Sequence, residues 1–391
     1  MRIGILTQPL HNNYGCLLQN FALQQVLKGM GHDVETVDWE PMKVSALKEW
    51  LFFQKMSFLS LLDKNIEKPR YRLSKTEAAV IGRNTGRFIE KYINVCKQKV
   101  NRPDELVDID EKFLYNAYVV GSDQVWRPSY NANMVTAMFL DFVKRKNVKR
   151  IAYAASFGTS EWEYPPTMSD ECARLAKKFD LVTVREKSGV NLCRCYLGVE
   201  AIHVLDPTML LNKEDYELLV NLEREQDSSG TLFHYILDPS PTKKAFIDKF
   251  AINQGLIPFT IMPKFQAENR TRKDVKNNIE DCVFPSVTSW LRGFIDSKAV
   301  IVDSFHGAVF SIIFNKPFWV LANARRGNAR FESLLNLFGL EDRMISTDSL
   351  DNDFDWNKKI DWEKVNQIRL KEMERCKSLL IEALNLNICQ K

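Results

Sequence analysis

Two doubly wound α/β domains facing a cleft, with a helical insertion in the first and a long helix after the second, are the architecture this chain predicts. Three observations carry it. Apolar runs of strand length alternate with amphipathic stretches of helix length in two blocks, residues 1–222 and 223–361, which meet at the polar linker Glu223–Gly230. The chain has 391 residues, whereas a single core seldom grows past about 250–300 residues. Polar clusters recur where the strands end, the edge at which open parallel sheets bind ligands.

In the first block, Arg2–Thr7 reads as a strand and Gln8–Gly15 as a polar, turn-rich loop. Leu23, Val26, Leu27 and Met30 then fall on one helical face, Gly29 and Gly31 end that helix, and Val34–Trp39 gives a second strand. This βαβ opening lacks the glycine fingerprint of a dinucleotide site. Residues 43–100, rich in Lys, Leu and Phe without strand alternation, read as the helical insertion. Strands resume at Ala117–Val120, Arg150–Ser156, Leu181–Val184 and Ala201–Leu205. They end in Gly121-Ser-Asp-Gln124, Gly158, Arg185-Glu186 and Asp206-Pro207 respectively, the last read as a strand-ending turn.

The second block predicts strands at Thr231–Leu237 and Ile257–Met262 and helices at Lys243–Gln254 and Ser289–Ser297. Its most informative stretch runs from Ala299 to Phe314. Ala299–Val302 is a short β-branched run, Ser304 is a good N-cap, and about two turns of apolar residues follow. His306 therefore falls in the first turn of a helix at the carboxyl end of a strand, where free N–H groups favour an anion. Asn315-Lys-Pro317 stops that helix before a strand at Phe318–Ala322. The last segment, Trp362–Leu386 within 362–391, offers Val365, Ile368, Met373, Leu379, Leu380 and Leu384 for packing.

Composition narrows the class. A hydrophobic fraction of 45% and a charged fraction of 27% are those of an ordinary globular chain, and a net charge of +4 is too small to argue for nucleic acid. Basic residues cluster at Lys264–Lys276 and again at Arg325, Arg326 and Arg330. The eight cysteines are scattered, with no CxxC pair or Cys/His metal spacing, and read as reduced thiols of a cytoplasmic protein without a metal site. The N-terminus begins directly with a strand, and no apolar run approaches the roughly 18 residues of a membrane span. Peripheral contact with the inner face of the cytoplasmic membrane stays open. The insertion, with Trp50, Phe52, Phe53 and Phe58, is either a packed subdomain or a surface that meets a membrane-anchored acceptor.

Four strand-end clusters carry the candidate chemistry: Asn12-Asn13-Tyr14-Gly15, Gly121-Ser122-Asp123-Gln124, Arg185-Glu186 and Ser304-Phe305-His306. Each alone is compatible with a turn, a cap or a surface ion pair. Their convergence on one edge is the stronger signal. The same segments, with Val120-Gly-Ser-Asp-Gln-Val-Trp126, Leu205-Asp-Pro207 and Asp303-Ser-Phe-His-Gly307, resemble the polysaccharide pyruvyl transferase family. The resemblance runs from Ile3 to about Arg343 in unbroken motif order. It implies two Rossmann-like domains of GT-B-like form, and transfer of a pyruvyl group from phosphoenolpyruvate to a surface polysaccharide (capsule or exopolysaccharide) or its lipid-linked precursor.

The resemblance also suggests roles. His306 is the expected general acid or phosphate partner and Asp123 the expected base; Arg185, Ser304, Phe305, Arg330 and Arg325 are expected around the donor. Asn12, Asn13, Tyr14, Gly15, Ser122 and Gln124 are expected on the acceptor side or in the cleft, with phosphoenolpyruvate as donor substrate and no cofactor. Many members carry arginine two residues before the motif histidine; here that position is Ser304, so Arg330 or Arg325 is expected to supply the cation. A nucleotide-sugar-dependent GT-B glycosyltransferase and a non-catalytic sugar-binding protein are the competing readings.

Overall fold

The computed structural model describes residues 1–40, 71–266, 270–322, 327–346 and 355–385, together with 51, 54–56 and 59. Two parallel sheets stand in it. The first orders its strands β2-β1-β3-β4-β5-β6, from β1 (Arg2–Leu6), β2 (Asp33–Thr36), β3 (Ala117–Val120), β4 (Lys149–Ala155), β5 (Leu181–Val184) and β6 (Ile202–His203). The second orders β11-β10-β9-β7-β8, from β7 (Leu232–Tyr235), β8 (Pro258–Phe259), β9 (Ala299–Val302), β10 (Phe318–Leu321) and β11 (Met344–Ile345). The central strands β3 and β9 are buried at every residue, as helices on both faces of a parallel sheet require.

The edges depart from the sequence expectation. Ala201–Leu205 and Ile257–Met262 each shorten to a two-residue strand, and Val34–Trp39 to Asp33–Thr36. A strand with a neighbour on one side only is held by half the ladder, and short edges are the common outcome. The helical reading of 43–100 holds for Lys75–Ile81 and Arg83–Tyr92, but the chain then turns extended, with Val95 bridging Thr36 and Val100 bridging Trp39. Trp50, Phe52, Phe53 and Phe58 lie outside the described residues. Helices at Glu105–Phe113 and Ala329–Phe338 stand outside the elements the sequence pattern predicts.

Two features bind the halves. Tyr14, the first residue of the helix Tyr14–Gly29, is fully buried; its ring stacks on Trp290 at 5.6 Å and its hydroxyl donates to Pro285 O at 3.0 Å. The helix Trp362–Asn385 returns from the second block to the first. There Arg375 Nη2 donates to His203 O at 2.8 Å, Arg369 Nη1 to Leu211 O at 3.1 Å, and Leu205 N to Cys376 Sγ at 3.4 Å. Cys376 and Leu380 are completely buried, so one apolar cluster runs through both blocks. Among the described residues no helix is long and apolar enough to cross a membrane.

Leu380→Ala should therefore lower unfolding free energy by about 2–5 kcal/mol, as for other fully buried leucines. Leu370→Ala, at a position 45% exposed on the same helix, should change it little. Denaturant melts of the two variants check the expectation.

Candidate active site

Two helices, one from each block, start at the same place. Asn13 caps the first, its Oδ1 accepting from Cys16 N at 3.2 Å; Ser304 caps the helix Phe305–Ile313, its Oγ accepting from Gly307 N at 3.1 Å. The approach is so close that a Cβ on Gly15 would stand 2.1 Å from His306 Nδ1. Only a residue without a side chain lets the imidazole lie against that first turn. Both helix starts present unsatisfied N–H groups and a positive end to the space between them.

Beneath the imidazole lies a buried charge network centred on Asp206. Its Oδ2 accepts from Ser122 Oγ at 2.9 Å and Arg185 Nη1 at 2.8 Å, and stands 3.5 Å from His306 Nε2. Its Oδ1 accepts from Thr208 N at 3.0 Å and Thr208 Oγ1 at 2.7 Å. Burial alone would raise this carboxyl, but His306 and Arg185 beside it hold it well below the usual range. Arg185 also donates from Nη2 to Asp123 Oδ1 at 3.2 Å, and its guanidinium lies 4.4 Å from the centre of the Phe305 ring. Arg330 sits 5.8 Å from the same ring. Burial, and then the like charge of Arg185, push Arg330 down to about 10. Burial pushes Glu186 up, and its Oε1 holds the loop after β4 through Phe157 N at 2.7 Å and Gly158 N at 3.2 Å.

The loop after β3 is shaped by backbone. Gly121 has φ of +120°, and a Cβ there would stand 2.2 Å from Tyr153 O. Asp123 adopts φ of +73°, in the left-handed region that aspartate tolerates, and its own Oδ1 accepts from Gln124 N at 2.9 Å. Across the cleft, Asp303 accepts from Leu237 N, Asp238 N and the buried Lys243 Nζ at 2.6, 3.1 and 2.6 Å. That pair fixes the loop after β7 against the end of β9.

Asn13, Gly15, Asp123, Gln124, Ser304, Phe305, His306 and Arg330 line one cleft of about 240 Å³. Four expectations are corrected. Asn12 turns away, its Oδ1 accepting from Thr85 Oγ1 at 2.6 Å, and Tyr14 is spent on the contact between the blocks. Ser122 is fully buried beneath the cleft, between Asp206 and Gln19. Arg185 is 2% exposed and each of its terminal nitrogens is held by a carboxylate, so it positions Asp123, Asp206 and Phe305 and does not offer a free fork to the donor. Arg325 and Arg326 lie outside the described residues. The reading of Asp206-Pro207 as a turn missed the centre of the network; its place at a strand end, like the other clusters, was the available signal. Lys243 carried no signal, since one lysine at a helix start looks solvated. Among the described residues no group of His, Cys, Asp and Glu is arranged to hold a metal ion.

A family model described as polysaccharide pyruvyl transferase matches residues 13–325. No curated protein sequence matches. Among solved structures, UGT89C1 of Arabidopsis thaliana complexed with UDP-L-rhamnose superposes with a TM-score of 0.53 at 9% identity, covering 98% of this chain and 99% of that one. The UDP-GlcNAc 2-epimerase of Methanocaldococcus jannaschii, in complex with UDP-GlcNAc and UDP, gives 0.47 at 13% identity, covering 99% and 100%. The first likeness shows a GT-B-type, two-domain α/β fold and nothing about substrate.

Two substitutions test the geometry. Gly15→Ala should abolish activity through displacement of His306 while helicity and melting temperature change little; a fully active variant would contradict the close approach. Asp206→Asn should cost about 3–5 kcal/mol of stability by leaving Arg185 underpaired. Because the folded carboxyl is held low, its contribution is full above the ordinary carboxylate range and lost on acidification. The stability gap between wild type and Asp206→Asn should therefore narrow as pH falls below about 4.

Proposed function

The chain belongs to the polysaccharide pyruvyl transferase family, and from that premise we propose that it transfers the pyruvyl group of phosphoenolpyruvate to two hydroxyls of one sugar, forming a pyruvate ketal on a surface polysaccharide or its lipid-linked precursor. The observation that carries this reading is His306, an acid–base side chain set between two helix starts in a cleft that also presents Arg330. Phosphoenolpyruvate is a small dianionic or trianionic enol phosphate. The helix N–H groups and Arg330 suit its phosphate and carboxylate.

In the proposed sequence, protonated His306 gives its proton to the methylene carbon, leaving a cation-like centre at the carbon that bears phosphate and carboxylate. Asp206, 3.5 Å behind Nε2, orients the ring. A sugar hydroxyl adds to the cationic centre, passing its proton to Asp123 or back to His306. The C–O bond to phosphate then breaks, and the second hydroxyl closes the ring. One hydroxyl proton restores the acid and the other leaves with phosphate, so the balance needs no oxidant, reductant or cofactor.

His306→Ala should abolish phosphate release from phosphoenolpyruvate in the presence of galactose-, mannose- and glucosamine-terminated acceptors, with melting temperature retained. Substantial remaining turnover would exclude its role as acid. Arg330→Ala should raise the apparent KM for phosphoenolpyruvate by about 30-fold or more, as expected for a lost charged contact to a ligand. In thermal-shift measurements phosphoenolpyruvate should stabilise the protein and UDP should not. The reverse result would replace pyruvyl transfer by a nucleotide-sugar reaction.

A further inference from the structure

One aromatic ring at the cleft takes no part in the sequence of steps above. Tyr130, in the short turn Pro128–Asn131 after β3, lines the same cleft as His306 and Arg330. It is 45% exposed, whereas Tyr235, Phe305 and Phe331, which share the cleft, are 6%, 4% and 1% exposed. A single exposed ring is ordinary on a protein surface; what sets this one apart is its place in the cleft beside His306 and Arg330.

The ring is held rather than loose. Arg127 covers one face, its guanidinium 5.0 Å from the ring centre. That guanidinium is itself pinned, with Nε and Nη2 donating to Glu163 at 3.2 and 3.1 Å and Nη1 donating to Gln124 Oε1 at 3.1 Å. Gln124 is in turn joined through its backbone N–H to Asp123. The next residue, Asn131, donates from Nδ2 to Val125 O at 2.8 Å and Arg127 O at 2.9 Å, fixing the turn that carries the tyrosine. The ring is thus preorganised at a set place relative to the carboxylate network, which lowers the cost of ordering it on binding.

The chemistry of the ring selects among ligands. Its face carries partial negative charge, so it repels the oxygens of a phosphate or carboxylate and attracts the C–H face of a pyranose, whose hydroxyls project from the rim. We propose that Tyr130 is the stacking platform of the acceptor subsite, holding a pyranose ring by its apolar face so that two hydroxyls of that ring reach the cationic centre. The proposal rests on the reading above that the acceptor is a sugar. Arg127 acts through Tyr130 as a positioning residue.

The test separates acceptor from donor. With phosphoenolpyruvate saturating, Tyr130→Ala should raise the acceptor KM about tenfold, leave the KM for phosphoenolpyruvate unchanged, and melt as wild type does. Tyr130→Phe, which keeps the ring face, and Arg127→Met should each raise the acceptor KM less than Tyr130→Ala. An unchanged acceptor KM in Tyr130→Ala, or an equal rise in the donor KM, would overturn the platform. Binding without turnover is read by saturation-transfer NMR, using the methyl glycosides of galactose, mannose and N-acetylglucosamine as probes. Transfer should appear on the C–H face of at least one probe with wild type and vanish with Tyr130→Ala. Transfer that persists in the variant, or to no probe in wild type, would also overturn it. If probe binding depends on Tyr130 while phosphoenolpyruvate is never consumed, the platform stands and the donor assignment fails.

Discussion

A completely buried carboxylate, Asp206, is the constraint on which the cleft depends. A charge taken out of water must be met by donors, and here they come from separate parts of the chain. Ser122 follows β3, Arg185 follows β5 and Thr208 follows β6, while His306, which starts the helix after β9, stands 3.5 Å away. Meeting the needs of one carboxylate therefore brings four strand ends, from both sheets, to one point. Such a network is weak evidence for stability, because desolvation offsets much of the attraction. Its consequence is positional: the imidazole, the Phe305 ring and Asp123 are fixed relative to one another before any ligand arrives.

The balance of charge around that point explains what the cleft can receive. Arg185 is neutralised by two carboxylates, and Lys243 by Asp303. Arg330 is buried beside the cleft, where the neighbouring Arg185 opposes its charge and Asp123 and Glu186 favour it. A negative group entering beside Arg330 would add to that support and would also meet two helix starts. Ser304 fits this arrangement. It supplies the cap that begins the His306 helix, and Arg330, from the Ala329–Phe338 helix, lines the same cleft.

Much of this was legible in the sequence, and the reasons it stopped where it did are physical. Strand cores were clear because β-branched runs buried on both faces have no competing reading; Ala299–Val302 and the Ser304 cap stand as read. Strand ends told which edge a polar residue occupies, but not which way its side chain turns. Tyr14, Asn12, Ser122 and Arg185 were placed at the correct edge and given the wrong partners for that reason. Asp206 looked like a turn because the Asp-Pro dipeptide is one locally, whereas its role is set by residues far away in sequence. The Ala329–Phe338 helix, with its buried Arg330, was hidden by a start rich in arginine and asparagine that resembles a loop.

The division of labour between the halves follows from the same geometry. The second block contributes His306, Phe305 and Arg330, the parts suited to an anion; the first contributes the Gly15 wall, the Asp123–Arg185–Asp206 network and the ring of Tyr130. Neither half holds a complete site, so the contact between them must be stable for the chemistry to exist. Tyr14 packed on Trp290 and the returning helix Trp362–Asn385 provide that stability away from the cleft. The shared two-domain fold accounts for a cleft at the strand ends, whatever the reaction. The close approach of one imidazole to a glycine on the opposite half fixes where that imidazole lies between the two helix starts.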